Sequence, residues 1–73
     1  MSDRTVKFIA IRQARTKVIG SRVMTRHEAE REVSVWRDEI GPACYVPAAS
    51  DVRSMVRRND SEALSKILYQ FGK

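Results

Sequence analysis

The sequence holds one cysteine, one histidine, two prolines and three glycines among its 73 residues. A lone cysteine cannot close an internal disulfide, and without a second cysteine or a histidine cluster it cannot build a structural zinc site. A reducing compartment, the cytoplasm, is therefore the expectation. No apolar run exceeds four residues, and residues 8–11 form one of them. A membrane-spanning helix requires about 20, and the first residues lack the apolar segment of a secretion signal, so a soluble chain with no membrane partner is expected. Chemistry-bearing groups are equally sparse. There is no glycine-rich phosphate loop, no paired-carboxylate motif and no metal-ligand spacing. His27 falls in the first turn of an expected helix, with no Cys, Ser or acid partner identifiable by spacing. Cys44 falls between Ala43 and Tyr45 in a strand-like run and reads as a small buried hydrophobe. No catalytic residue, cofactor or metal is assigned, and an enzyme is not expected.

What is present is a patterned chain long enough for one small domain spanning residues 1–73. At this length only about 60% of the unfolded surface is buried on folding, so the core is thin. Residues 6–12 (VKFIAIR) and 17–24 (KVIGSRVM) are rich in β-branched side chains and read as two strands. Residues 13–16 join them without the Asn-Gly or Asp-Gly of a tight primed turn, so a longer loop is expected. Phe8 and Ala10 point one way and Ile9 and Ile11 the other, which requires cover on both faces of the sheet.

Thr25, followed three residues later by Glu28, matches a capping box. Ala29, Val33, Trp36 and Ile40 then recur at helical spacing, and Gly41-Pro42 stops the run, predicting a helix over 26–40 with Trp36 at the centre of its buried face. Residues 43–46 read as a short strand closed by Pro47, with the Tyr45 ring either packed or turned outward. Ser50 or Asp51 opens a further helical stretch, and the cap-like run Asn59-Asp60-Ser61-Glu62 divides it in two. The expected fold is a small α+β domain of order ββαβα(α), a sheet of about three strands packed by one capped helix and a C-terminal helical segment. Apolar side chains on both faces of the first strand, with Leu64, Ile67, Leu68 and Phe71, exceed what one thin core needs, so a homodimer is expected.

Charge is abundant and unevenly placed. Residues 1–27 sum to +6, residues 28–51 to −4 and residues 52–73 to +3, and ten of the fourteen cations are Arg. Guanidinium forks suit phosphates and carboxylates alike. Arg12, Arg15 and Lys17 are placed at the hairpin tip, where a two-stranded ribbon can enter a duplex groove. Arg22, Arg53, Arg57 and Arg58 add candidate contacts to nucleic acid or to an acidic partner. A solvated turn and ion pairs with Asp51 or Asp60 are the plain alternatives for these charges. Residues 50–71 also admit a helix-turn-helix reading. Glu28, Glu32, Val35 and Glu39 share one flank of the first long helix and form a secondary candidate contact, to a basic protein or a second copy of the chain.

The strand-strand-helix-strand order, small size and lack of catalytic groups resemble accessory proteins of phages and mobile elements, including some anti-CRISPR inhibitors. The resemblance is one of architecture and carries no site residues across. Two functions are expected from these features. One is a basic module that engages nucleic acid through its hairpin and C-terminal helix. The other is an inhibitor or adaptor that docks on an acidic surface of a larger nucleoprotein complex.

Overall fold

The structure, a computed structural model, describes residues 6–71. Asp3, Arg4 and Lys73, which enter the charge sums above, lie outside the described residues. The elements in chain order are β1 (Lys7–Ala14), β2 (Lys17–Gly20), β3 (Met24–Thr25), α1 (Arg26–Glu39), β4 (Ala43–Pro47), α2 (Ser50–Arg57) and α3 (Ser61–Phe71). The α+β order is as expected, and the sheet is antiparallel throughout.

β1 is the central strand. β4 pairs with residues 8–12 along one edge, and β2 and β3 share the other. The second expected strand is therefore broken in two. Between the pairs Ile11↔Gly20 and Phe8↔Met24, β1 uses two residues while its partner uses three, Ser21, Arg22 and Val23. The extra residue is a β-bulge. Ser21 accommodates it: its backbone N–H donates to the Ala10 carbonyl at 2.8 Å, and its Oγ accepts the Ala10 N–H at 3.0 Å, replacing a carbonyl of the ladder.

The hairpin also differs from expectation. Ala14 pairs with Lys17, so the connection is the two residues Arg15-Thr16. Arg15 supplies the left-handed conformation itself, at φ 58°, and the Gln13 Nε2 donates to the Arg15 carbonyl at 2.8 Å. A glutamine side chain thus stabilises a turn that sequence rules assign to Asn-Gly.

Helices cover both faces. On one, Ile9, Ile11, Val18, Cys44 and Val46 pack with Val52, Leu64 and Leu68 of α2 and α3, and Met55, Val56 and Ile67 close the margin. On the other, Ala10 and Ala43 meet Val33 of α1, flanked by Trp36 and Tyr45. Small side chains let α1 lie close to the sheet, but the larger core is on the α2/α3 side. Trp36 is only half-buried, with the Arg12 guanidinium 4.9 Å above its ring. Ile40, expected on the buried face, is the C-cap of α1 and is 51% exposed. Tyr45 is packed: its ring meets Phe8 edge-on at 5.6 Å, and its hydroxyl donates to the Glu30 carboxylate at 3.1 Å. Leu64, Ile67 and Leu68, three of the apolar residues behind the homodimer expectation, are used inside the chain. Tyr69 and Phe71 at the end of α3 stay exposed.

Helix ends follow the local sequence. The Thr25 Oγ1 accepts the Glu28 N–H and the Glu28 carboxylate accepts the Thr25 N–H, completing the capping box. Gly41, at φ 142°, continues the chain after Ile40. α2 opens at Ser50, as expected, with Ala49 at the cap position and no side-chain bond there. At its other end Asn59 takes φ 55°, its N–H donating to the Val56 carbonyl and the Asp60 N–H to the Met55 carbonyl, which is a Schellman stop. Asp60 then accepts the Ala63 N–H at the start of α3. One residue thus ends one helix and caps the next.

Both outer sheet edges are occupied in part. The Val18 N–H of β2 donates to Ser61 Oγ at 2.9 Å. On β4, the Ala43 carbonyl accepts from Arg37 Nε, Pro47 has no N–H, and its carbonyl accepts from Ala49.

Three outcomes are expected. A Cβ at Gly20 would stand 2.5 Å from Val56 Cγ2, so Gly20→Ala should cost about 1–3 kcal/mol. Val56→Ala should recover part of that loss, which a double-mutant cycle in urea would detect as favourable coupling. In the same assay Leu64→Ala should cost about 2–5 kcal/mol and half-buried Trp36→Ala clearly less.

The third concerns acid. The backbone bond from Thr25 holds the Glu28 carboxyl below its ordinary pKa, and the backbone bond from Ala63, aided by Arg58, does the same for Asp60. A depressed folded pKa gives stability that is present above the ordinary carboxylate range and lost as pH falls through the folded value. Melting temperatures should therefore fall below about pH 4, and the fall should be shallower in a Glu28→Gln, Asp60→Asn variant. An identical acid profile in that variant would remove the caps as its source.

Candidate nucleic-acid interface

The tight turn and the bulge redistribute the cations that sequence alone placed at one tip. Arg12 is paired with Ile19 inside the strand region and lies over Trp36 on the α1 face. It belongs to the packing of α1, not to the tip. Arg15 and Lys17 do flank the turn, both exposed. Arg58 pairs with Asp60 at 3.1 Å, so the ion-pair alternative holds for that residue. Arg22, Arg53 and Arg57 come together. The bulge carries Arg22 outward, and α2 presents Arg53 and Arg57 one turn apart.

These three side chains line one open hollow of about 400 Å³ with Ile9, Ser21, Val23 and Val56. Val56 also lines a second hollow, of about 280 Å³, with Lys17, Val18, Ile19, Gly20, Asn59, Ser61 and Leu64. The two form a seam along the outer side of β2 and the bulge, against α2. Among the described residues no carboxylate lines either hollow. Among the described residues the ion pairs are Arg26–Glu30 and Arg58–Asp60, so none of the seam's cations is neutralised by one. The seam depends on Gly20, where the lack of a Cβ lets Val56 close on the strand.

The acidic flank of α1 has a different character. Glu28, Glu32 and Val35 line a hollow of about 360 Å³ with Arg22, Arg31 and Trp36. Glu39 is exposed near the helix end and is not part of it. Positive and negative side chains alternate there, and the Glu28 carboxylate is already engaged in the capping box. The exposed residues of α3 before its final turn, Glu62 and Lys66, balance one another, which leaves that helix without the cationic face of a recognition helix. Cys44 is buried, and burial pushes its thiol pKa up, against the weaker opposite pull of Arg37. A nucleophilic thiol requires the reverse.

Sequence reading named Arg22, Arg53 and Arg57 but missed Ser21, Val23 and Val56, which shape the space between them. The available signal was Gly20-Ser21 inside a strand-like run, since an isolated strand glycine often marks a bulge or a close backbone approach. Among the described residues no helix is long and apolar enough to cross a membrane. Comparison with family models, curated proteins and solved structures finds no match to this chain.

Proposed function

We propose that this chain is a non-enzymatic cytoplasmic module that binds duplex nucleic acid through its phosphate backbone. The observation that supports this reading is the convergence of Arg22, Arg53 and Arg57 on one hollow that no carboxylate lines, continued toward Lys17 at the hairpin. Guanidinium groups on a concave, acid-free surface attract phosphates and release counterions when they bind them. The form of nucleic acid follows from what the seam omits. It contains no aromatic side chain, whereas single-strand grooves use aromatic rings as platforms for unstacked bases. Backbone contact to a stacked duplex needs none. Arg15, held exposed in a conformation that ordinarily favours glycine, extends the same charge to the turn.

Each phosphate neutralised adds about 0.9 to the magnitude of the slope of log affinity against log salt on duplex DNA. Replacing Arg22, Arg53 and Arg57 together by Ala should therefore flatten that slope by roughly two to three units. Arg12→Ala should leave the slope nearly unchanged and lower stability instead, through lost packing on Trp36. Fluorescence anisotropy on a labelled duplex across a salt series reads both. Wild-type protein without duplex affinity at ~50 mM salt, where such attraction is strongest, would sink the nucleic-acid reading and direct the same arginines to an acidic protein surface.

A further inference from the structure

The Arg22/Arg53/Arg57 hollow has more positive charge at one place than an internal backbone phosphate requires. An internal phosphodiester carries one negative charge, whereas three arginines line this hollow with no carboxylate among its described lining, and even with Glu28 set against Arg22 in the neighbouring hollow two further positive charges remain. Their mutual repulsion is relieved best by a group of higher charge. The floor between them is apolar, built from Ile9, Val23 and Val56, with Ser21 as the one neutral polar side chain. Such a floor suits one concentrated charge at a chain end rather than a row of separately hydrated ones.

We infer that this hollow binds a terminal phosphate monoester, the phosphorylated end of a duplex strand, while the rest of the seam holds the adjoining backbone. A phosphate monoester carries close to two negative charges at neutral pH, with a second pKa of about 6, and three acceptor oxygens that suit several guanidinium forks at once. The seam has the reach for the second part. Arg22 lies five positions beyond Lys17 along β2 and the bulge, which in extended chain is about 17 Å and leaves room for more than one adjoining phosphate of a strand. The 5′ and 3′ monoesters share this chemistry. The inference rests on the nucleic-acid reading of the same site.

The test compares short blunt duplexes of one sequence with 5′-phosphate, 3′-phosphate or hydroxyl-only ends, by anisotropy at fixed salt. A phosphorylated end should bind at least ~10-fold more tightly than a hydroxyl end, and whichever phosphate shows the gain identifies the strand end. The gain should shrink as pH is lowered from 7.5 to 5 and the monoester takes up a proton. The charged groups lining the hollow are the three arginines, which stay protonated throughout. Carboxylates on adjoining elements are Glu28 and Glu32 on α1 and Asp51 on α2, and the hydroxyl-ended duplex measured at each pH controls for them. An Arg53→Lys, Arg57→Lys variant keeps the charge but loses the forked donors. It should keep its circular dichroism spectrum and lose more affinity for the phosphorylated end than for the hydroxyl end, so that most of the preference disappears. Equal affinity for all three duplexes, or a preference that persists unchanged at pH 5, overturns the inference and leaves the nucleic-acid reading standing. Failure to bind any of them at ~50 mM salt overturns both.

Discussion

Ile9, Ala10 and Ile11 are consecutive strand residues, and all three are buried, at 1%, 0% and 0% exposure. Since successive strand side chains point to opposite faces, this triplet is stable only if both faces of β1 are covered at once. A 73-residue chain has little material for two covers, and the division of labour among the helices follows. α1 takes the Ala10 face, where alanines at 10, 29 and 43 are fully buried and allow a close approach. α2 and α3 take the Ile9/Ile11 face and carry most of the large apolar side chains. Pairing on both edges of β1 completes the constraint, so that the whole domain is organised around one strand.

Those parts of the fold that depend on local chemistry could be read from the sequence. The Thr25/Glu28 capping box, the Gly41 stop and the division of the C-terminal helices at Asn59-Asp60 each use residues adjacent in the chain, and each stands as expected. Departures arise where a distant group decides the outcome. Arg15 turns the hairpin because Gln13 reaches back to its carbonyl. The second strand breaks because Ser21 can offer Oγ to Ala10, eleven residues away. Ile40 fits the helical period of the apolar face and yet lies at the cap, beyond the reach of the sheet. Of the apolar residues in the C-terminal segment that argued for a second copy, Leu64, Ile67 and Leu68 are taken up by the cover on the Ile9/Ile11 face, and Phe71 is not.

The same distinction governs the candidate site. That the surface charge is basic and divided was evident from the order of residues, and so were the individual arginines. Their grouping was not. Arg12, on β1, and Arg22, in the bulge between β2 and β3, are ten positions apart and line different surfaces, the first over an indole and the second beside α2. The bulge decides this, because without its extra residue Arg22 would continue the strict alternation of the strand. Ser21 at the bulge and Gly20 under Val56 therefore bring Arg22 beside the arginines that α2 presents, a grouping that no short motif connects.

The partial closure of both sheet edges has a consequence for how many copies can be held together safely. A strand edge with free donors and acceptors is a template for another strand. Here Ser61 takes the Val18 amide, Arg37 takes the Ala43 carbonyl, and Pro47 offers no amide at all. Edge-to-edge growth toward cross-β aggregates thus lacks a continuous ladder on either side. Neighbouring copies would also repel one another through the net positive charge of the chain, which works against edge-to-edge association.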